Sequence, residues 1–398
     1  MATGITKNTS IIGVEVESTE GTYAAPSAAT SYVQPLADGF ELTPAREKID
    51  RAILTSSIGR ATPRLGIKSV QASLPVEFRA SGVEGADVDF TALLKGALGA
   101  TRAIATTTTT KASGNTATLL QIEDADISKF AVGDIIVVKQ TGAHHVCAVT
   151  AVASGAGVAA LTVTPAHPSG DHTDSVVISK STMYYTANTA HPALSLSYYW
   201  ANEVLQKATG CKVASMSIDN FATGQVASFN FGLEGLGYDE SNTAAPHTPS
   251  YDSGIPPVIL GATVYRDGTA IDINQFSLSL SNSLSFLTAT ANENGRSASR
   301  VTTREITGSI NPYKDDTATT NHDAFDAGTE FSLFIKAFNP TSTPGEVTMG
   351  SVIGIYLPKC IAVETKVADQ DGILTDEISF QAVRGSAGTT EEMYLGFI

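Results

Sequence analysis

SIGRATPRLGIKSVQASLPV (residues 57–76) is answered later in the chain by ENGRSASRVTTREITGSINP (residues 293–312). Each stretch sets Gly-Arg ahead of two more basic residues at four-residue steps. Arg60, Arg64 and Lys68 form the first triplet; Arg296, Arg300 and Arg304 form the second, 236 residues on (296 − 60). Aligned without a gap at that offset, residues 40–77 repeat in 276–313 at Phe40, Leu42, Gly59, Arg60, Arg64 and Ser73. Thr43, Lys68, Val70 and Leu74 meet the similar Ser279, Arg304, Ile306 and Ile310. The ends of the halves correspond too: CKVASMSIDNFATGQVASFNFGLEG (211–235) resembles KCIAVETKVADQDGILTDEISFQAVRG (359–385). Both read as a strand, a turn at Gly224 or Gly372, and a strand closing in Phe231 or Phe380. The period is far too long for a solenoid, so the pattern predicts a two-fold domain duplication.

Composition bounds the rest. A chain of 398 residues has room for two or three domains. Charged residues make up only 16%, and Val and Ile occur in short runs among Gly, Ser and Thr, which suits an all-β protein. No apolar run approaches the roughly 18 residues that span a bilayer. MATGITKNTS lacks the pattern of a signal peptide, so the chain is expected to be cytosolic when made. A net charge of −15 excludes strong gripping of phosphate, which needs Lys and Arg. Cys147, Cys211 and Cys360 are odd in number and far apart, which predicts free thiols in a reduced compartment.

Along the chain, residues 1–39 are turn-rich and read as an extended arm. DFTALLKGALGA (89–100) predicts one short helix, with Asp89 as its N-cap and Gly99 as its stop. Thr-rich low-complexity sequence from residue 101 opens short β-rich runs at about ten-residue spacing, a small barrel or sandwich inserted over 101–185. The first texture resumes at 186 and continues to 240. A Pro/Ser/Asp linker (241–256) then leads to the second half, 257–398.

In a strand, residues at i, i+4 and i+8 share a face. Each basic triplet therefore reads either as a solvated strand face or as a contact for an acidic neighbour, setting register more than affinity. Catalytic motifs are absent: no HExxH, GxSxG, Walker A loop or GxGxxG occurs. His144 and His145 point to opposite faces of an apparent strand, so with Asp171, His167 and His172 they read as surface polar residues rather than metal ligands. Asp369, Asp371 and Gly372 glance at a calcium loop, but its first and twelfth places would be Val367 and Ile378, so a tight turn is expected. Tyr198, Tyr199 and Trp200 read as buried rings of an alternating strand rather than a sugar platform. Neither an enzyme nor a cofactor site is expected.

GTYAAP, the FELTP strand, the Arg/Gly/Pro stretch, KSVQASLPVEF, DFTALLKGALG and GCKVASMSI together resemble the tail tube proteins of long-tailed bacteriophages. The likeness covers residues 20–100, 190–238 and, through the repeat, 255–398. It implies an all-β fold with a minor helix: two tandem tail-tube-type β-sandwich domains (40–100 with 186–240, and 257–398) plus the small inserted module. It implies that hairpins of neighbouring subunits close a β-barrel around a channel, and that rings stack into a tube for DNA passage. Duplication then implies a pseudo-six-fold ring of three chains. On this reading the six basic residues are inter-subunit or inter-ring contacts, and Glu41, Glu47, Asp50 and Glu293 are lumen-facing candidates. Partners would be further copies of the chain, other tail proteins at the tube ends and DNA in transit without specific binding, with no membrane. The protein would be assembled in the bacterial cytoplasm and reside in the virion tail. The alternatives are a distal tail or hub protein forming a single trimeric ring, and a carbohydrate-binding adhesin.

Overall fold

The computed structural model describes residues 6–54, 56, 58–155, 157–188, 191–260, 262–314, 319–385 and 391–398. Its frame is one continuous antiparallel layer of eight strands, labelled here in chain order. β1 (Glu41–Ile49), β2 (Arg64–Glu77), β3 (Val204–Asp219) and β4 (Ser228–Gly235) come from the first half. β5 (Ile273–Thr288), β6 (Arg296–Pro312), β7 (Ile353–Gln370) and β8 (Ile373–Ala382) come from the second. Their spatial order is β1-β2-β4-β3-β5-β6-β8-β7. Period-two alternation builds them. In β5 the residues Phe276, Leu278 and Leu280 are buried while Ser277, Ser279 and Ser281 face away.

The duplication is visible bond by bond. Leu42 lies opposite Ala72, and its counterpart Leu278 lies opposite Gly308. Both hairpins shift register at the same place, between Arg46 and Lys48 in one and between Ser283 and Leu284 in the other. β3 pairs with β4 as β7 pairs with β8, again with matching bulges after Val213 and Ala362. Cys211 opposite Leu194 becomes Cys360 opposite Phe331, so two of the three buried free cysteines are copies of one another. The pairings also refine the alignment. Leu233 occupies the place of Phe380, since they face Ala72 and Gly308, whereas Phe231 corresponds to Ile378.

Each half carries one short helix between its second strand and the next. α1 (Thr91–Leu98) follows β2, and α2 (Thr319–Asp326) follows β6. Gly99 stops α1 with a left-handed φ of 99°. Gly96 lies so close to β3 that an added Cβ would come within 2.8 Å of Val213. Asp89 is not the N-cap: the cap residue is Phe90, with no side-chain bond. The Asp89 carboxylate turns instead to Arg79, 2.6 Å away, and both side chains are buried. Burial pushes Asp89 up to about 6 against the pull of Arg79, and the pair forms a structural lock under the linker at Asp252.

The expected arm is a packed element. Ile11–Val16 is a strand paired with Leu194–Trp200 and with Tyr32–Val33. Ile12, Val14, Tyr32 and Val33 are buried, and the Glu17 carboxylate accepts bonds from Ser195 Oγ and the N–H groups of Gly210 and Gly21. The turn residues of 17–31 masked this short alternating strand. Trp200 lies over Phe40, with Tyr198 and Tyr199 buried beside it.

A second sheet draws its six strands from residues 108–178, in the order Thr108–Thr109, Val177–Ile178, Ile135–Val138, His145–Ala153, Ala159–Thr164, Leu119–Ile122. The Lys111 N–H donates to Gln121 O at 2.7 Å, linking the first strand to the last. The flanking strands Gly99–Ile104 and Ser181–Thr186 pair with one another and belong to the main body. In the second half α2 runs almost directly into its next strand, Glu330–Ala337. The module therefore occupies a connection that its twin closes in three residues, 327–329. It is fixed by an apolar seam in which Ile135, Val137 and Val146 meet Phe334, Val347 and Tyr356.

The histidines are not surface residues. His145, His167 and His172 are buried with ring centroids 4.7–5.2 Å apart, because the 165–175 loop folds over the start of the His145–Ala153 strand. His145 Nδ1 lies 3.3 Å from His172 Nε2, while His145 Nε2 and His172 Nδ1 make no well-formed hydrogen bond among the described residues. The rings pack tilted and edge to face. Among the described residues no group of three or more His, Cys, Asp or Glu is arranged to hold a metal ion.

Two outcomes follow for stability. Desolvation, then the neighbouring rings, lowers His145 to about 2 and His172 to about 4, with Lys336 adding to the first and Asp171 opposing on the second. Both groups are therefore neutral in the fold, and the unfolded chain takes up their protons first as pH falls below about 6.5. Asp134, raised to about 6 by burial, pulls the other way, so the informative quantity is a difference. Between pH 7 and pH 5 the wild type should lose about 2 kcal/mol of stability relative to His172→Gln, read from unfolding at the two pH values. The second outcome concerns Asn282, buried in β5, whose Nδ2 donates to Ala97 O and Val213 O at 3.0 and 3.1 Å. Asn282→Ala should cost about 1–3 kcal/mol by stranding those carbonyls. The same change at its exposed counterpart Arg46 should stay within about 0.5 kcal/mol in the isolated chain.

Candidate functional site

The eight-stranded layer has one face buried against the rest of the protein and one polar face. Register traces the polar face strand by strand. Glu41, Ser73, Gly232, Ser215, Ser281 and Glu305 form one row across six strands. Asn230, Ser217, Ser279, Thr307 and Gln381 form the next, and Ser277, Ser309, Ser379 and Glu364 a third. Ser73 Oγ donates to Asn230 across this face, Ser277 and Ser309 bond at 2.7 Å, and Gln381 reaches Glu305. Its first-half part encloses a shallow cavity of about 410 Å³ lined by Glu41, Thr43, Gln71, Ser215 and Glu234 among others.

The chemistry of this surface is nearly uniform: hydroxyls, amides, glycines and carboxylates, with Pro75 and Ile361 at the two ends of the second row. Among the described residues of these rows and their continuation along β7 and β8, Lys366 is the one cation, its Nζ 3.1 Å from Glu377. Beyond the bulges the same alternation brings Arg64, opposite Ile49, and Arg300, opposite Ser285, to the hairpin ends. Lys212 follows Glu234 in register, but the bulge at Val213 turns its amine down to His191 O. Between the bulges the described part of the face thus carries Glu41, Glu234, Glu305, Glu364 and Glu377 against a single paired lysine. It offers no nucleophile next to a base and no converging ligand set.

Of the acidic candidates, only Glu41 stands in these rows. Glu47 lies further along β1 at the bulge, beside Gly66. Asp50 is beyond the end of β1, 2.9 Å from Lys48, and Glu293 sits in the turn between β5 and β6. Glu234, Glu305, Glu364 and Glu377 were missed. The signal that finds them is the strict alternation of each strand, carried across the sheet by register.

The basic triplets are not equivalent. In the second, Arg296 lies over the Phe286 ring at 4.1 Å, and Arg300 pairs with Glu20 at 2.8 Å. Arg304, with a nearly buried side chain, bonds Glu392 at 2.6 Å and Ala187 O. In the first, Lys68 stands over Tyr238, Arg64 opens β2 as an exposed residue, and Arg60 lies in the loop before it. That loop also exposes Ile53, Leu54 and Ile58. The second triplet is therefore largely engaged within the chain, whereas no described acidic residue forms an ion pair with Arg60 or Arg64. Lys68 also meets the second hairpin through its backbone, its N–H donating to Asn294 O at the tip.

Two edges of the layer are open. Among the described residues β1 pairs only with β2, and the outer half of β7, beyond Ala362, pairs only with β8. The β7–β8 turn, Asp371-Gly372, has both φ angles positive, the two-residue hairpin expected, rather than a calcium loop. Exposed Val363, Val367, Ile373 and Leu374 cluster on this hairpin. Open edges with apolar side chains are unstable endpoints for a sheet in water, since their N–H and C=O groups are a template for another strand.

Comparison with known proteins agrees with this geometry. No curated protein matches the chain. The family model described as phage tail tube protein matches residues 7–382, both halves and the inserted module included. A role in building a virion, rather than in catalysis, is what that family implies. The chain belongs to the phage tail tube protein family.

Proposed function

We propose that three copies of this chain close into a ring with pseudo-six-fold symmetry, and that such rings stack into a tube through which DNA passes. The observation that carries the reading is the duplicated eight-strand layer, polar on one face and open at β1 and β7. Three such layers joined edge to edge give six repeats of one four-strand unit. Closure removes every exposed edge, the usual reason for cyclic assembly of strands. The polar face then lines the channel. DNA carries about one negative charge per 1.7 Å of its axis, so a carboxylate-bearing, cation-poor wall repels it weakly everywhere and binds it nowhere.

The module supports the same orientation. Its seam is made with Phe334, Val347 and Tyr356, behind the layer, and none of its residues enters the polar rows. It sits on the outside of the proposed tube. Residues 40–100 with 186–240, and 257–398, act as the two wall segments, joined by 241–256. Exposed Arg60 and Arg64, with the loop carrying Ile53, Leu54 and Ile58, face the next ring or subunit, and other tail proteins cap the two ends. Assembly takes place in the bacterial cytoplasm before the tail joins the virion.

Electron microscopy of the concentrated protein tests the assembly. Hollow tubes of stacked three-fold rings are expected; rings that never stack would replace the tube by a single-ring hub, and glycan binding by a dispersed protein would favour an adhesin. The wall charge has its own test. Wild-type tubes should not retain duplex DNA at physiological salt. Tubes carrying Glu41→Lys, Glu234→Lys and Glu305→Lys should retain it, with an affinity that falls as salt rises.

A further inference from the structure

Four residue pairs join the two halves within one chain: Ser215 with Ser281, Met216 with Leu280, Ser217 with Ser279, and Ile218 with Leu278. The matching registers carry both sides of this joint onto the open edges. Residues 278–281 of β5 correspond to 42–45 of β1, since both hairpins have the same pairing. Residues 215–218 of β3 correspond to 364–367 of β7 by their common pairing and bulge. We propose that β7 of one copy pairs with β1 of the next in this inherited register: Glu364 with Ala45, Thr365 with Pro44, Lys366 with Thr43, and Val367 with Leu42. The proposal rests on the tube reading and specifies its joint; the partner is a second copy of this chain.

Burial argues for it. Ile218 is 1% exposed because the second half covers it, whereas its counterpart Val367 is 56% exposed in the single chain. Backbone direction agrees. Lys68 N–H points away from β1, to Asn294 O, so the pair Arg46–Lys68 is one of those without mutual hydrogen bonds. By alternation Leu42 and Pro44 turn their backbone groups outward, to the open edge. Phe276 N–H shows the same parity in β5, donating across to Phe221 O. Charge agrees as well, for this register sets Lys366 diagonal to Glu41 on the polar face.

One residue makes the two kinds of joint unequal. Leu280, inside the chain, has an N–H to give β3. Its counterpart Pro44 has none, so the joint between copies lacks one hydrogen bond that the joint within a copy can make. A proline whose missing N–H faces outward is the form in which an edge strand tolerates proline, and it protects the free chain from indiscriminate strand addition. The ring is thus built from three strong joints and three weaker, reversible ones.

Cysteine pairs in the full-length chain read the register directly. Thr43 and Lys366, like Ala45 and Glu364, fall at pairs without mutual hydrogen bonds, where side chains lie closest and a disulfide fits. Thr43→Cys/Lys366→Cys and Ala45→Cys/Glu364→Cys should each crosslink into dimers and closed trimers on oxidation. Ser217→Cys/Ser279→Cys, the same pair within a chain, should crosslink without any change of size and reports that the layer has folded. Thr43→Cys/Glu364→Cys, two residues out of register, should stay uncrosslinked. The native cysteines are buried and do not interfere. Crosslinking of the out-of-register pair, or of neither in-register pair, in protein that still forms rings would overturn the register and leave the tube reading standing. Failure to form rings at all, with the internal disulfide closed, would overturn both.

Discussion

The hydrogen bonds between β3 and β5 are the constraint on which the rest depends. A four-strand unit of this kind has two edges, and an edge with apolar side chains and unpaired amides does not persist in water. Duplication within one chain satisfies one of these edges covalently, by placing the second unit beside the first at an effective concentration no free subunit reaches. The burial of Ile218, Met216, Leu278 and Leu280 at that line shows what the joint gains: apolar side chains removed from water on top of the ladder. The remaining two edges are the same surfaces again, and in the proposed ring they meet another copy.

That argument explains why the halves diverge where they do. The pairing and bulges of β1–β2 and β5–β6 agree position by position, yet few residues are identical, because a sheet needs only alternation and register. Change has concentrated where the halves have different surroundings. Asn282 clamps Ala97 and Val213 inside the chain, and its counterpart Arg46 is exposed. Arg300 and Arg304 are met by Glu20 and Glu392, whereas Arg64 has no ion-pair partner among the described residues. The module's six strands, drawn from residues 108–178, lie in a connection that the twin closes with a three-residue link, on the side of the layer away from the polar face.

Much of this was legible from the sequence because it rests on local periodicity. The repeat, the all-β class, the helix with its Gly99 stop, the buried YYW strand and the Asp371-Gly372 turn are each set by residues within a few positions of one another. What failed was long-range. Asp89 has the right chemistry for a cap, but Arg79 lies ten residues earlier and claims its carboxylate once both are buried. Ile11–Val16 looks like the rest of a turn-rich arm until Leu194–Trp200, nearly 200 residues away, supplies its partner. The three histidines converge only when the 165–175 loop folds back, which no spacing announces. Acidic residues of the polar face were found poorly for the same reason: Glu41, Glu234 and Glu305 belong to three strands whose common face exists only through register.

The polar face also shows why small hydroxyl residues dominate this chain. In the proposed tube, a wall facing a moving polyanion must satisfy its own side chains without offering a deep pocket, a cation or an apolar step. Serine and threonine do so by bonding across strands, as Ser277 does with Ser309, leaving little that projects. Longer carboxylates spaced among them supply repulsion at a distance, while their separation avoids the destabilisation of directly opposed like charges. Lys366 tests the rule from the other side. It is the exception in the rows, and it stands at the open edge, paired with Glu377 and placed where a neighbouring strand would bring Glu41 alongside. In the proposed ring its charge stands at the joint between copies, while the carboxylates between the bulges face the channel.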